Sequence, residues 1–512
     1  MGENASRSVR GRVVLGVIGL SAALGLYLWR FDSWARSTFS PPAGPNVVLI
    51  VLDTTRADYF SCYGFPKRTT PRMDQLAAEG ARYASAYATD FWTLPSHATI
   101  LTGLYPTAAG ATSTTGHLPA SVTTLAERFR DAGYATGGVV CNGWLSIERG
   151  FGQGFADYVE MWRKENSLKL LAGVEDVGYP SAERVASWID EQAPGEAPLF
   201  LFYNINLAHL PYRPAPRLRT RFLAAGRPPE RVRELMKIKD EWDYIVGALQ
   251  LDSSDLETMR ELYAGSIAEL DECVGEVIDA LRRNGILDET LVVITSDHGE
   301  NLGDHDMLGH VLSMYDTTLH VPLIMRYPAR FAAGTVVDDL TSLVDLAPTI
   351  LEVCGLADGE DGSLTRGISL CSSQRSPRML VFAEDELHAK TPGELARFYP
   401  DTDPWSLSYP FRSVRTDRYR LVWYHGGETA LYDLWVDRRE AEDVTDRARE
   451  VHDELLGELS DWAESLKSPA DAVAFQSKDA ETIKQLQALG YIGAGTVPST
   501  TTSGEEPART NQ

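Results

Sequence analysis

Two acidic positions that end apolar runs are the first candidates for chemistry. Asp53 closes the run NVVLIVLD, while Asp297 closes a second run and is followed directly by His298 in the sequence SDHGE. A carboxylate directly after a buried strand is either a turn or helix cap or a metal ligand, and for Asp53 alone both interpretations stay open. The Asp297-His298 pair is more specific, because adjacent oxygen and nitrogen donors can bind one divalent cation. The two runs therefore predict a metal site.

The segment WTLPSH, from Trp92 to His97, places a hydroxyl where an anion could bind. Pro95 is tolerated in the first turn of a helix, and Thr93 is predicted to lie just ahead of that helix. Backbone N–H groups and the dipole at a helix N-terminus favour an anion. Taken in isolation, Thr93 is an ordinary N-cap. Its combination with the acidic positions makes it a candidate for catalysis.

Elements far apart in the chain must bring these residues together, and the apolar runs predict such a scaffold. Runs of strand length recur between helical stretches, at residues 46–53, 134–141, 198–205, 290–297 and 321–327. This alternation predicts an α/β fold with a parallel or mixed sheet, in which ligands bind at the carboxyl ends of the strands. The clearest helix is predicted over residues 256–283, with apolar residues at three- and four-residue spacing and Gly285 at its end.

The pattern changes near residue 376, where short alternating strands replace the long runs. Residues 412–423 and 429–434 are examples, and a helix follows over about residues 448–466. We predict a catalytic domain over residues 46–375, a C-terminal subdomain with a smaller antiparallel sheet over 376–495, and a disordered tail over 496–512. The polar stretch from Pro211 to Asp255 is interpreted as a surface excursion or lid.

The amino terminus predicts a membrane anchor. Arginines at positions 7, 10 and 12 precede residues 13–29, which carry no charge and are followed by Arg30. A helix of this length is at the short end of what spans a bilayer, and no small-residue cleavage site follows it. We predict a cytoplasmic segment over 1–12, a single-pass signal anchor over 13–29, a linker over 30–45 and an extracytoplasmic catalytic domain. A cleaved signal peptide and a buried helix are the alternatives.

Composition excludes several classes of protein. The 512 residues include 48 Lys+Arg and 72 Asp+Glu, so the net charge is −24. A chain this acidic, with no basic cluster beyond its first residues, is not expected to bind nucleic acid. The 44% of hydrophobic residues is typical of a folded globular protein. The five cysteines show no CxxC spacing, so no zinc knuckle or redox motif is predicted.

Three separated motifs in a fixed order resemble the sulfatase-like branch of the alkaline phosphatase superfamily. They are VLIVLDTTRADYFSCYG, TLPSHATILTGLYP and ITSDHGENLGDH. The later segments SLVDLAPTILEVCGL, RSVRTDRYRLVWY and LQALGYIG also resemble blocks of that family. The resemblance extends from about residue 46 to residue 493 and implies an alkaline-phosphatase-like sandwich: a central mixed sheet flanked by helices, with a smaller C-terminal sheet.

The resemblance also implies roles for particular residues. One divalent metal ion, whether Ca, Mg, Mn or Zn, would be shared by Asp53, Thr93, Asp297 and His298, with Thr93 as the nucleophile. His209 and His310 are expected to act in catalysis, by stabilising the transferred anion or protonating the leaving group. The expected substrate-binding residues are His305, Arg56 and Asn142.

Three positions depart from the sulfatase pattern. At the position of Thr93, sulfatases of this family carry a Cys or Ser that is oxidised to formylglycine. At the position of His97 they carry Arg. Threonine cannot become formylglycine, because oxidation of its secondary alcohol gives a ketone. Thr54 stands where many sulfatases have a further metal-binding Asp. The set of carboxylate, Thr, Asp and His around one metal is similar to that of phosphoethanolamine and phosphoglycerol transferases in the same superfamily.

The sequence therefore predicts a metal-dependent hydrolase that acts on sulfate, phosphate or phosphonate esters of a small molecule, a glycan or a lipid. The resemblance favours sulfate, whereas a threonine nucleophile favours phosphorus, because water can resolve a threonine phosphate ester by attack on phosphorus. Two alternatives stay open. One is a phosphoester transferase of the same superfamily, and the other is a pseudoenzyme that retains the fold as a binding module.

Overall fold

The computed structural model describes residues 44–163, 179–356, 366–371, 376–386, 396–397, 399–400, 407, 409–475 and 477–488. Its strands, in chain order, are β1 (Asn46–Leu52), β2 (Ala81–Tyr83), β3 (Ala86–Tyr87), β4 (Ala135–Val140), β5 (Asp157–Glu160), β6 (Leu199–Ile205), β7 (Thr290–Thr295), β8 (Asn301–Leu302), β9 (Leu308–Gly309), β10 (His320–Val321), β11 (Leu323–Arg326), β12 (Thr335–Val337), β13 (Thr341–Ser342), β14 (Val381–Glu384), β15 (Pro410–Arg415), β16 (Tyr419–Tyr424) and β17 (Thr429–Asp433).

The helices connect and cover these strands. In chain order they are α1 (Pro71–Glu79), α2 (Thr93–Thr102), α3 (Pro106–Ala109), α4 (Leu125–Asp131), α5 (Pro180–Gln192), α6 (Pro216–Phe222), α7 (Pro229–Leu235), α8 (Trp242–Ile245), α9 (Ser253–Arg283), α10 (Asp316–Leu319), α11 (Leu346–Val353), α12 (Arg449–Ser465) and α13 (Ala480–Ala488). The longest, α9, begins three residues before its predicted start. Its N-cap Asp252 accepts a hydrogen bond from the N–H of Asp255, which forms a capping box.

A large mixed sheet forms the centre of the described structure. Its strand order is β12-β2-β11-β7-β1-β6-β4-β5. Strands β7, β1, β6, β4 and β5 run parallel, whereas β11 is antiparallel to both of its neighbours. The carboxyl ends of β7, β1, β6 and β4 therefore lie side by side at one edge. The predicted central mixed sheet flanked by helices is confirmed.

Strand β1 is buried on both faces, which explains its continuous apolar run. Val47, Leu49 and Val51 enter one hydrophobic core, while the alternate residues of β1 enter a second core on the other face. The second core also takes the apolar stripe of α9. A sheet sandwiched between helices needs no polar face, so its central strands show no alternation.

A separate antiparallel sheet, β14-β15-β16-β17, lies in the C-terminal part of the chain. This confirms the smaller sheet, although residues 412–423 form the hairpin β15–β16 rather than one strand. Helix α12, predicted over about 448–466, packs Leu455 and Leu459 against this sheet. The stretch from Pro211 to Asp255 contains the short helices α6, α7 and α8. The domain boundaries stay a prediction, and the tail over 496–512 lies outside the described residues.

The prediction of a membrane-spanning helix, and with it a single-pass membrane location, is corrected. Across the residues that the structure describes, no helix is both long enough and apolar enough to cross a bilayer. Helix α9 has 31 residues, but charged side chains such as Glu272 and Arg282 interrupt its surface. The segment 13–29, on which the predicted anchor rests, lies outside the described residues.

Candidate active site

The carboxyl ends of the central parallel strands carry the candidate metal ligands. Asp53 follows β1 directly, and Asp297 and His298 follow β7. All three side chains are fully buried, and their ligand atoms lie within 4.8 Å of one another. Strand pairing of β1 with β7 brings the two ends together although they are far apart in the sequence. The structure thus assembles the group that the two apolar runs predict.

The two carboxylates fit a cation. Asp53 Oδ1 and Asp297 Oδ2 are buried and have no hydrogen-bond partner among the described residues. Burial raises the pKa of both carboxyl groups, and for Asp297 the neighbouring Asp53 adds to the effect. Unpartnered carboxylate oxygens are costly inside a protein unless a positive charge compensates them. A divalent ion bound by these oxygens would remove that cost.

His298 is held in the tautomer that binds metals. Its Nδ1 lies 3.0 Å from the carbonyl oxygen of Gly299, and because a carbonyl only accepts hydrogen bonds, the proton is on Nδ1. Nε2 then carries the lone pair, 3.4 Å from Asp297 Oδ2. Burial, followed by the nearby ring of His310, lowers the pKa of His298. The imidazole is therefore neutral and suited to bind a cation.

Thr93 is the first residue of α2 and is fully buried beside these ligands. The helix thus starts at Thr93 itself, with Trp92 as its N-cap, rather than just after it. Thr93 Oγ1 lies 3.5 Å from His298 Nε2 and 3.4 Å from Asn142 Nδ2. The hydroxyl therefore faces the metal ligands from the N-terminus of a helix, where developing negative charge is favoured.

Asn142, which the sequence predicts as a substrate-binding residue, lies at the centre of the site. It follows β4, and its Nδ2 donates to Asp53 Oδ2 at 2.9 Å. Its Oδ1 accepts from the N–H of Trp144 at 3.1 Å, which fixes the orientation of the amide. Asn142 therefore connects a candidate metal ligand with the candidate nucleophile.

Two of the three predicted histidines form a group with His298. The ring centroid of His310 lies 4.5 Å from that of His298 and 5.0 Å from that of His209. Burial lowers the pKa of both His209 and His310 to about 3. His209 Nδ1 donates to the carbonyl of Leu210 at 2.6 Å, so its Nε2 is the acceptor nitrogen. Both rings are neutral near pH 7.

His305 and Arg56 have other partners. The His305 ring stacks on Tyr315 with a centroid distance of 3.6 Å, and within the described residues no hydrogen bond or ring contact joins it to the candidate metal ligands. The guanidinium of Arg56 binds Asp58, Asp304 at 2.7 Å and the carbonyl of Glu300 at 3.0 Å. Arg56 thus fixes the loop that follows Asp297. Substrate binding by these two residues stays a prediction.

Thr54 acts on the site through its backbone. Its N–H donates to Asp297 Oδ1 at 3.1 Å, while its hydroxyl donates to the carbonyl of Asp53 at 2.7 Å. This arrangement requires a φ of 59° at Thr54, a left-handed conformation that is rare for a β-branched residue. Such strain is typical of functional sites. Thr54 therefore orients one candidate ligand although its side chain is not a carboxylate.

Asn204 and His97 were not predicted as site residues. Asn204 is fully buried near the end of β6, and its Nδ2 donates to Asp53 Oδ2 at 3.1 Å and to His97 Nε2 at 3.2 Å. His97 Nδ1 donates to the carbonyl of Thr93 at 2.8 Å, one helical turn earlier. The available signal was Asn204 itself, a polar residue in the otherwise apolar run LFLFYNI.

Comparison with known proteins agrees with this geometry. The profile of the Sulfatase family matches residues 45–356, and that of the N-sulphoglucosamine sulphohydrolase C-terminal region matches residues 303–465. An uncharacterized sulfatase, YidJ, from Escherichia coli K12 is 26% identical over 83% of this chain and 88% of its own length. Arylsulfatase K from Bos taurus is 25% identical over 88% and 87%, respectively.

Among solved structures, the phosphonate monoester hydrolase of Agrobacterium radiobacter superposes with a TM-score of 0.66. It is 24% identical, and the match covers 82% of this chain and 95% of that protein. At this identity the likeness establishes the fold. Because the family profile spans more than half of the sequence, the chain belongs to the sulfatase family of metal-dependent ester hydrolases.

Proposed function

We propose that this member of the family hydrolyses phosphate or phosphonate esters, with Thr93 as the nucleophile. The observation that carries the proposal is the position of the Thr93 hydroxyl. It lies beside Asp53, Asp297 and His298 at the N-terminus of α2, where relatives that use formylglycine have Cys or Ser. A threonine cannot supply the second hydroxyl of a hydrated aldehyde, which drives sulfate off in those relatives. Phosphorus esters need no such group.

The residues present can carry out both steps of such a reaction. Asp53, Asp297, His298 and Thr93 would hold the divalent ion, which when bound acidifies a hydroxyl and stabilises negative charge. Thr93 Oγ forms a bond to phosphorus while the ester P–O bond breaks. His209 or His310 takes the proton that Thr93 loses and passes it to the departing oxygen. Water then attacks phosphorus while the same histidine takes a proton from it, the bond to Thr93 Oγ breaks, and the histidine returns the proton to Thr93 Oγ, which regenerates the threonine.

The experiment compares turnover of four nitrophenyl esters by the full chain: a sulfate, a phosphate monoester, a phosphodiester and a phosphonate monoester, each with Mg, Mn, Ca or Zn. We expect turnover of phosphorus esters and a loss of at least about 10³-fold in kcat for Thr93→Ala. Thr102→Ala is the matched control, because Thr102 lies at the other end of α2, where its hydroxyl donates to the carbonyl of Ala98 and accepts from the N–H of Leu104. Undiminished turnover in Thr93→Ala, or none in the wild type, contradicts the proposal.

Sulfate ester hydrolysis is the second candidate. It is favoured by the names of the relatives, because both YidJ and arylsulfatase K are called sulfatases. Turnover of the sulfate alone in the same panel would select it. Its mechanism would then need a nucleophile other than formylglycine at residue 93.

A further inference from the structure

The C-terminal helix α13 holds the backbone on both sides of Asn142. Gln485 on this helix donates from Nε2 to the carbonyl of Cys141 at 3.1 Å, and its Oε1 accepts from the N–H of Gly143 at 2.8 Å. One amide side chain thus binds the peptide groups before and after Asn142. Gln485 directly precedes the segment LQALGYIG, which the sequence singles out without a role.

Gly143 makes this close approach possible. A Cβ atom at residue 143 would lie 2.3 Å from Gln485 Oε1 and 3.3 Å from a methyl carbon of Leu486. Any larger side chain would therefore displace the end of the Gln485 side chain. Gly143 and Gln485 are therefore closely packed, with no room for a side chain at residue 143.

Helix α13 itself is firmly attached to the body of the protein. Leu486 is fully buried in a hydrophobic core, and Thr482 accepts a hydrogen bond from Trp162 Nε1 at 3.3 Å. Just before the helix, Asp479 pairs with Arg163 at 2.7 Å. These contacts do not depend on Gln485, so the helix can stay in place when that side chain is changed.

We propose that Gln485 is a positioning residue for the reaction, acting through Asn142. We call the two hydrogen bonds of Gln485 to the peptide groups on either side of Asn142 the clamp. The inference rests on the proposed function, because the clamp reaches the candidate site through Asn142. Asn142 Nδ2 is 2.9 Å from Asp53 Oδ2 and 3.4 Å from Thr93 Oγ1. Release of the clamp lets the Asn142 backbone shift, which moves the amide relative to both groups. Partners behind metal ligands typically change metal affinity or activity by about 10- to 100-fold.

The test uses the nearly isosteric substitution Gln485→Met, which removes both hydrogen bonds and retains most of the side-chain volume. Gln487→Met is the matched control, because Gln487 lies on the same helix and forms no side-chain hydrogen bond with any residue that the structure describes. We expect Gln485→Met to lower kcat and to weaken Mn²⁺ binding, each by about tenfold, with KM changed less than about twofold. Gln487→Met should leave all three quantities unchanged.

A double-mutant cycle with Asn142→Ala decides whether Gln485 acts through Asn142. If it does, Gln485→Met has no further effect in the Asn142→Ala background. Additive effects on the Mn²⁺ dissociation constant would contradict the inference. Titration with Mn²⁺ needs no substrate, so it gives an answer even if no ester is turned over and the proposed function fails. As a second variant, Gly143→Ala should reproduce Gln485→Met because it displaces the same side chain.

Discussion

Asn204 uses every hydrogen-bonding atom of its side chain inside the site. Nδ2 donates to Asp53 and to His97, while Oδ1 accepts from the backbone N–H groups of Cys141 and Asn142, both at 3.2 Å. Asn204 thus fixes the candidate metal ligand Asp53, the ring of His97 and the backbone of Asn142. A fully satisfied buried amide of this kind specifies one geometry.

We expect Asn204→Ala to weaken Mn²⁺ binding by about 10- to 100-fold, because Asp53 loses a donor that orients it. Isothermal titration with Mn²⁺ measures the effect. Asn46→Ala is the matched control, since Asn46 Oδ1 accepts from Leu199 N–H at 2.9 Å at the opposite end of the same strands. Equal Mn²⁺ affinity in the two variants would show that Asn204 has no role in the metal site.

The sequence predicts the candidate ligands better than their partners. Asp53, Asp297 and His298 end apolar runs, and parallel strands carry such positions to one edge whatever the details of packing. The contacts of Asn204 and His97 with the site depend on which strand pairs with β1 and on which face of α2 packs against the sheet, and the sequence alone does not give either. The sequence also does not predict that the His305 ring stacks on Tyr315.

At the scale of elements, Asp271 of α9 caps a different helix. Its carboxylate accepts from the N–H groups of Arg72 and Met73 in the first turn of α1, the latter at 2.9 Å. Burial raises the pKa of Asp271 to about 7, although these two N–H groups lower it in part. A side chain from one helix therefore replaces the missing cap of another.

This cap predicts a pH dependence of stability. Because the folded-state pKa of Asp271 is raised from 3.8 to about 7, the folded protein takes up the proton first, and stability falls as pH rises from about 4 to about 7. Asp271→Asn keeps an oxygen acceptor for both N–H groups but has no charge. We expect this variant to lose that component of the pH dependence and to gain stability at pH 8.

Urea denaturation of wild type and Asp271→Asn at several pH values between 4 and 8 measures the difference. Asp279→Asn is a control on the same helix, because Asp279 is partly exposed and pairs with the side chains of Arg282, at 2.7 Å, and Arg72 without capping the N–H groups of α1. Parallel curves for wild type and Asp271→Asn across the range would contradict the prediction.

The sequence predicts the elements that contain long apolar runs well, but it does not predict the short strands or their pairing. The five apolar runs all contain strands, and α9 differs from its predicted start by a few residues. The hairpin β15–β16 is not predicted as two strands, because the same alternation of residues continues on both sides of a short turn from Thr416 to Arg418. The pairing of small strands such as β3 with β10 and β13 depends on tertiary contacts that no local pattern encodes.

At the scale of the whole molecule, a buried ionic network joins the C-terminal sheet to the main body. Arg420 of β16 is 1% exposed and binds Asp316, the carbonyl of Met314 and Glu440, the last at 3.3 Å. Arg415 of β15 also pairs with Asp316 at 2.9 Å. Asp316 begins α10 in the main body, so these pairs connect the C-terminal sheet directly to that helix.

We expect Arg420→Leu to reduce the free energy of unfolding by about 3–5 kcal/mol, because it leaves Glu440 buried without this ion pair and removes one of the two arginines that pair with Asp316. The comparison is Arg418→Leu, since Arg418 pairs with Asp433 at 2.7 Å on the surface and such pairs contribute little to stability. Chemical denaturation at pH 7 measures both. Losses of unfolding free energy of similar size in the two variants would show that the buried network stabilises the protein no more than a surface ion pair does.

The central place of β1 has a consequence for synthesis of the chain. Its apolar residues pair only with β6 and β7, which are translated roughly 150 and 240 positions later. At about 5–20 residues per second, the strand emerges from the ribosome and waits roughly 7 to 30 s for its first neighbour. During that interval this apolar segment has no partner strand within its own chain. Among the candidate site residues Asp53 is made first and Gln485 last, so the nascent chain completes the candidate site only after Gln485 has been synthesised.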